Sequence, residues 1–575
     1  MPVVQISRRT HKNTQHLPDS IHPRLKQIYA DRGVESADQL SRTAKSLLHY
    51  DKLAGVGRAV DLLVESIQQD KKIVIVGDFD ADGATSTALS ILSLRSMGVK
   101  HCEYLVPNRF DFGYGLSPEI VEVAATKQAE VLITVDNGIS CLAGVDKAKS
   151  LGMTVIITDH HLAAEVLPNA DAIVNPNQPG CDFISKNLAG VGVAFYLMLA
   201  LRAKLKSIGW FEQQQLMMPN LADLLDLVAL GTVADVVPLD ENNRILVHQG
   251  LQRIRSDKCR PGIQAMIEVA GRDKSRLVAS DLGFVVGPRL NAAGRLDDMA
   301  MGIECLLTDD PGQARQIAVQ LDSLNQERRE IESSMQQEAI QALESLDFET
   351  SKLPFGLVLY QADYHQGVIG ILAGRIKDKY YRPTIAFAHQ DDETLKGSAR
   401  SIPGLHIRDL LEELNKRYPD IIDKFGGHAM AAGLSLPVKN LPAFEQTFNQ
   451  LAEEYLKDKP LAGELITDGE LQTADFSLAF AQTLKNAGPW GQGFPEPLFD
   501  GEFQLMDQKL VGTKHLKMVL KHQSGLLIDS IAFNVDLQLW PNPRCQSVSV
   551  AYKLDINEFR GRTSLQLMVE GLVAQ

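Results

Sequence analysis

The chain has 575 residues, enough for about four folding units at roughly 150 residues each. With 45% apolar and 23% charged residues it has the proportions of an ordinary globular protein, which excludes a collagenous or disordered chain. Lys and Arg number 58 against 72 Asp and Glu, a formal charge of −14 that, taken alone, argues against a polyanionic partner. The six cysteines form no CxxC pair, so neither a locally spaced cysteine zinc site nor a disulfide framework is expected. The N-terminal stretch lacks the apolar region of a signal peptide, and no uncharged apolar run reaches 18 residues. A cytoplasmic protein without membrane contact is expected.

In chain order, residues 1–50 are polar and helix-prone and read as a helical preface. From residue 51 to 310, short Val- and Ile-rich runs recur near residues 73, 103, 131, 154 and 172, separated by helical segments or turns. That spacing suits βα units of a mostly parallel sheet, and the unbroken hydrophobicity of IVIV and VLITV predicts that both faces are covered. Residues 311–350 are Gly- and Pro-poor with apolar positions at helical spacing, which predicts a long connector helix. A second α/β region follows over 351–458. Residues 459–575 then read as short period-2 strands joined by turns, a small barrel of which an OB-type barrel is one candidate.

The chemistry concentrates at three strand ends. KKIVIV runs into Gly77-Asp78-Phe79-Asp80-Ala81-Asp82-Gly83, VLITV into Asp136-Asn137-Gly138, and TVIIT into Asp159-His160-His161. In open α/β sheets the carboxyl edge of the strands is where ligands bind. Asp78, Asp80 and Asp82 alternate, so on extended chain they would share one side. Like charges held that close raise one another's pKa unless a cation neutralises them. A solvated acidic turn would explain any one of these motifs, but not their recurrence at one sheet edge. Asp235, flanked by Val-Ala and Val-Val after a helical segment, joins the set as either a helix cap or a ligand. Carboxylate with imidazole suits Mn²⁺, Mg²⁺ or Zn²⁺. The group is large enough for two ions bridged by Asp136, an arrangement suited to in-line attack on phosphorus. Asp159 would orient a neighbouring imidazole, and His161 would donate to a phosphoryl oxygen.

These residues resemble the signature of the DHH phosphoesterase superfamily. The later Gly426-Gly427-His428-Ala429-Met430-Ala431-Ala432-Gly433 resembles the glycine-rich motif of the associated DHHA1 domain. With the barrel-like tail, the chain is similar to the bacterial single-strand-specific 5′→3′ DNA exonucleases of that superfamily. The resemblance implies two α/β domains, DHH and DHHA1, joined by a long helix around a central groove, plus an OB-like β-barrel. It implies Asp80 and Asp136 on one metal and Asp82, Asp136, His160 and Asp235 on the other, with Mn²⁺ or Mg²⁺ as the ion. It further implies single-stranded DNA as substrate and 5′-mononucleotides as product. The implied setting is recombinational, mismatch and base-excision repair, beside single-strand-binding protein and a RecQ-type helicase, as a monomer. The alternative within the superfamily is a phosphoesterase of oligoribonucleotides, another small phosphodiester or pyrophosphate. A catalytically silent DNA-binding protein is disfavoured because the whole acid–histidine set is present, and a nicotinamide enzyme because GDFDADG is not GxGxxG.

Further candidates would meet DNA. Lys396–Ser401 reads as a loop after a strand and a polar turn. Its backbone N–H groups, Ser398 and Arg400 would clamp a terminal phosphate, and the resemblance places the 5′-terminal nucleotide there. His428 sits in a Gly/Ala segment that allows close backbone approach. Arg109, Arg289 and Arg295 accompany loop-forming residues and are expected on phosphates, and Phe110, Phe112 and Tyr114 could stack on bases. Lys514, His515, Lys517, Lys521 and His522 would line a basic stripe on the barrel.

Overall fold

The computed structural model describes residues 4–108, 115–345, 353–559 and 561–575. The chain forms two compact units. One comprises His11–Gln326 with Leu484–Glu496, the other Met1–Thr10, Glu327–Thr483 and Pro497–Gln575.

The first unit is built on a five-stranded parallel sheet. From edge to edge its order is Cys102–Leu105, Ile73–Val76, Val131–Val135, Thr154–Thr158, Ala172–Val174. Ile73–Val76 and Val131–Val135 are buried at every position, as sheets covered on both faces require. On one face Val74, Val76, Leu132, Val155 and Ile157 meet Ile120, Val121 and Ala124 of helix Pro118–Thr126 and Val145 and Ala148 of helix Leu142–Ser150. On the other, helices Ala81–Ser96 and Gly190–Ser207 pack on the strands, and helix Leu225–Ala234 packs on both helices. Leu225–Ala234 is apolar nearly all round, which suits a helix without a solvent face. Residues assigned above to the tail return to this unit: Leu239 N–H donates to Gln492 O at 2.7 Å, and Tyr29 Oη to Ala487 O at 2.9 Å.

The preface is less helical than its composition suggests. Among the described residues its one α-helix is Pro23–Asp31, and Val4–Arg8 is a strand paired in parallel with Gly463–Thr467. The alternation in VQISR is a strand pattern, but its partner lies some 450 residues away, beyond any local signal. A 35-residue helix, Pro311–Ser345, occupies the expected connector.

The second unit holds a mixed sheet and a closed barrel. The sheet order is Lys424–Gly427, Ala431–Pro437, Thr394–Arg400, Thr384–His389, Leu357–Tyr360, with only the last pair parallel. In its core Phe387 meets Phe444 edge to face and Phe444 stacks on Phe448, with ring centroids 5.4 and 5.8 Å apart. One reading changes here: Lys396–Arg400 is not a loop but part of strand Thr394–Arg400. The glycine-rich segment forms a hairpin. The barrel closes in the order Phe499–Val511, His515–Lys521, Leu527–Ala532, Arg562–Ala574, Ser547–Phe559, with Leu527–Ala532 and Arg562–Ala574 parallel. Leu516, Met518 and Leu520 fill its interior while His515, Lys517 and Lys521 stand outward.

Candidate active site

The acid–histidine set converges at the carboxyl edge of the parallel sheet. Strand Ile73–Val76 ends in a tight turn, and Asp80 caps helix Ala81–Ser96, its carboxylate accepting the Gly83 N–H at 3.0 Å. Asp82 therefore lies in the first helical turn, not on extended chain, and the three acids meet through a strand–turn–helix bend. Gly83 makes that bend possible, since a Cβ there would stand 2.5 Å from Asp78 O. The buried Asp82 accepts the N–H groups of Gly190 (2.6 Å) and Val191 (2.9 Å), the open N-terminus of helix Gly190–Ser207.

Asp136 follows its strand in the left-handed region, φ +61°, a conformation that aspartate tolerates better than most residues. His160 Nε2 lies 3.2 Å from Asp136 Oδ1 and 3.4 Å from Asp235 Oδ2. Asp235 is the C-cap of helix Leu225–Ala234, the end where a carboxylate is least welcome, and the following Val236 is itself left-handed at φ +63°. Asp235 is thus a cap, and the same position sets its carboxylate beside His160. Asp159 is buried: Oδ2 accepts the Ile139 N–H at 2.9 Å and Oδ1 meets His161 Nδ1 at 2.7 Å.

Burial and mutual repulsion set the electrostatics. Burial first, then the neighbouring Asp80, push Asp82 up to about 7 against the pull of its two N–H donors. Asp136 is raised well above the ordinary carboxylate value by burial and by Asp82, Asp80, Asp235 and Asp78. Asp235 is raised likewise, by burial and by Asp82, Asp80, Asp78 and Asp159. Asp159 goes the other way: burial pushes it up, but the His161 hydrogen bond and charge outweigh this and leave it low. Burial lowers His161, and Asp159 more than restores it, leaving the imidazole easier to protonate than usual.

Three carboxylates, Asp82, Asp136 and Asp235, each raised by burial and by neighbouring acids, fit a site for cations. Among the described residues, three overlapping groups place their donor atoms within 4.8 Å of one another: Asp78, Asp80 and Asp136; Asp82, His160 and Asp235; Asp136, His160 and His161. Asp235 Oδ2 is buried and takes no hydrogen bond among the described residues. Oxygen donors with one or two imidazoles suit Mn²⁺ or Mg²⁺.

The expected phosphate contacts divide. Ser398 and Arg400 lie two apart on the outward face of their strand, with Arg400 Nη1 donating to Ser398 Oγ at 3.2 Å. Because that strand is paired on both sides, its N–H groups belong to the ladder, and only the side chains remain for a ligand. Helix Ile369–Tyr380 begins against this face, where a Cβ on Gly370 would stand 2.9 Å from Ser398 Oγ and 3.0 Å from Arg400 Nη2. His428 is exposed in the hairpin turn, its N–H donating to Ala431 O at 2.8 Å. Arg289 is engaged within its own unit. It is 7% exposed, Nη1 donating to Val285 O at 2.5 Å and Nη2 paired with Asp322 Oδ1 at 2.7 Å, which makes it a strut. Its motif clamps the acidic turn instead, Asn291 Oδ1 accepting the Ala81 N–H at 2.8 Å. Arg295 is half-buried, and Arg109, Phe110, Phe112 and Tyr114 lie outside the described residues. On the barrel, His522 leaves the basic stripe: it is buried, its ring centroid 5.0 Å from Phe476 and 5.8 Å from Phe503.

The sequence carries no signal for Gly190 or Gly370: each makes room for a close approach, and that leaves no pattern of charge or period.

A parallel sheet with this acid–histidine edge, a mixed α/β unit and a five-stranded barrel define a protein of the DHH class. The family model for the DHH family, N-terminal domain, matches residues 72–232, the DHHA1 domain 354–454, and the RecJ OB domain 467–571. The single-stranded-DNA-specific exonuclease RecJ of Escherichia coli K12 is 56% identical over 99% of both chains. That of Haemophilus influenzae is 54% identical over 96% of both. A crystal structure of RecJ from Thermus thermophilus in complex with Mn²⁺ superposes with a TM-score of 0.77 at 28% identity, covering all of this chain and 80% of that one. The chain belongs to the RecJ family.

Proposed function

We propose that the chain is a metal-dependent, single-stranded-DNA-specific exonuclease that hydrolyses phosphodiester bonds from the 5′ end and releases 5′-mononucleotides. The observation that carries this reading is His160 Nε2 standing 3.2 and 3.4 Å from the carboxylates of Asp136 and Asp235, inside three overlapping donor groups. The single-stranded-DNA-specific exonucleases it resembles support the polymer, and the crystal structures of Thermus thermophilus RecJ in complex with Mn²⁺ and with Mg²⁺ support the ion.

In this reading Asp80 and Asp136 hold one ion, and Asp82, Asp136, His160 and Asp235 the other. A divalent pair bound there supplies positive charge that acidifies water and offsets the charge developing on the phosphoryl oxygens. The chain's own groups do the rest. The N–H donors of Gly190 and Val191 keep Asp82 in place, and Asp159, 2.7 Å from His161 Nδ1, orients that imidazole and makes it easier to protonate, which suits it to donate to a phosphoryl oxygen. Ser398, Arg400 and the start of helix Ile369–Tyr380 seat a terminal phosphate, where burial already lowers the Arg400 guanidinium from its ordinary value and an anion would restore it. Membership of the family supports a monomeric cytoplasmic enzyme of recombinational, mismatch and base-excision repair, working with single-strand-binding protein and a RecQ-type helicase. No helix among the described residues is long and apolar enough to cross a membrane.

The test is turnover with Mn²⁺ of 5′-labelled and 3′-labelled single-stranded DNA, beside duplex, short oligoribonucleotides and pyrophosphate. Early release of the 5′ label as mononucleotide is expected. Preference for the small substrates, or for the 3′ end, would overturn the reading. Arg400→Ala should weaken binding chiefly of strands with a free 5′ phosphate.

A further inference from the structure

We propose that Asn175 and Asn177 are positioning residues for His160 and His161, and that they set the affinity of the centre for its divalent ions. The inference rests on the metal-centre reading above and adds residues that belong to none of its donor groups.

His160 and His161 follow strand Thr154–Thr158 and lie in no helix or strand. Their four backbone polar groups therefore have no ladder to join and need other partners. Both N–H groups donate to a single atom, Asp159 Oδ1, at 2.7 and 3.1 Å. Both carbonyls are taken from the other side: Asn177 Nδ2 donates to His160 O at 2.6 Å and Asn175 Nδ2 to His161 O at 2.9 Å. The dipeptide is thus held at every backbone polar group, which leaves the two imidazoles little freedom except rotation of their own side chains.

The clamp is itself built in. Asn175 ends strand Ala172–Val174 and is fully buried; its Oδ1 accepts the Asn177 N–H at 2.7 Å, closing an Asx turn around Pro176. Lys186 Nζ donates to Pro176 O and to Cys181 O, both at 2.7 Å, and Asn177 Nδ2 also reaches Lys186 O at 3.1 Å. A polar turn held from three sides transmits its position to the carbonyl it grips. Partners that orient a ligand without touching the ion change metal affinity by roughly 10–100-fold when removed.

The experiment is calorimetric titration of Mn²⁺ into the metal-free full-length chain, without DNA, for the parent and for Asn177→Leu. Leucine keeps the branched shape of the half-buried Asn177, at a larger volume, and removes the donor. A parallel Asn177→Ala variant guards against overpacking, and thermal unfolding of each metal-free protein reports the fold. The dissociation constant for Mn²⁺ should rise roughly 10–100-fold in both variants while the metal-free unfolding midpoint stays within about 2 °C. Unchanged affinity overturns the inference, as does weaker binding matched by a collapse of the metal-free midpoint, which would make the turn merely structural. A parent chain that binds no Mn²⁺ would instead sink the metal-centre reading.

Discussion

The Gly190 N–H donates to the Asp82 carboxylate across 2.6 Å, joining residues 108 positions apart in the chain. The same glycine lies against the next acid, since a Cβ at position 190 would stand 2.6 Å from both Cβ and Oδ1 of Asp136. One small residue therefore anchors one carboxylate and makes room for another. Gly190→Ala should leave the fold intact, because alanine suits a first helical position, while moving Asp136 by a fraction of an ångström or more. Misplacement on that scale costs about 100-fold in rate. Steady-state turnover of single-stranded DNA beside circular dichroism checks this. A variant within threefold of the parent would show that Asp136 relaxes without consequence.

Asp136 gives a prediction in which stability and activity part. Its folded pKa is raised by burial and four neighbouring acids, so the folded chain binds this proton more tightly than the unfolded one. In the metal-free protein its contribution is then favourable at low pH and is lost as pH rises from about 4 through the folded value. Asp136→Asn removes the charge and keeps a side chain that tolerates φ +61°. At pH 8 with chelator the variant should melt above the parent. Mn²⁺ should raise the parent's midpoint and barely move the variant's, and hydrolysis should be abolished. Scanning calorimetry with and without Mn²⁺, beside a turnover assay, settles each part.

Much of the site was legible because acids standing at the ends of unbroken apolar strands are expensive and rare. Asp78, Asp136 and Asp159 each end such a run, and the sheet order brings the runs together. What escaped depends on contacts between distant segments. Lys396–Arg400 reads as a loop because Gly397 and Ser398 have poor strand propensity. Yet it lies in the middle of a sheet, where a Cβ at 397 would stand 2.5 Å from Phe387, so the glycine makes room for that ring. Arg289 has the setting of a phosphate ligand in sequence, and only its burial beside Asp322 favours a strut. The net charge misled for a simpler reason: several of the 72 acids crowd one sheet edge, where bound cations would invert the local field.

Asp226 offers a pH signature apart from the centre. Fully buried in helix Leu225–Ala234, it accepts the Arg260 N–H at 2.6 Å and the Leu227 N–H at 2.9 Å, and burial still pushes it up to about 6. A raised folded value means that this group's contribution falls between about pH 4 and pH 6 and stays flat above. The swing is about 3 kcal/mol. In Asp226→Asn the amide oxygen could still accept one of the two N–H groups, so the absolute stability of the variant is a poor readout. The difference in unfolding midpoint between parent and variant should instead shift in the variant's favour from pH 4 to pH 6 and then level off. A constant difference across that range would show that the carboxylate titrates normally.

The strut reading of Arg289 can be separated from a phosphate role by a double-mutant cycle. Arg289→Met leaves Asp322 without its partner in a setting where both side chains are largely buried, 9% and 18% exposed. Breaking such a pair costs about 3–5 kcal/mol, whereas replacing both members with apolar residues is often close to neutral. Arg289→Met should therefore lower the unfolding midpoint, and Arg289→Met with Asp322→Leu should recover most of the loss. Affinity for single-stranded DNA, measured well below the variant's midpoint, should match the parent within about twofold, because a single good phosphate contact removed would cost more than that. Loss of DNA affinity without loss of stability would return Arg289 to the phosphate contacts.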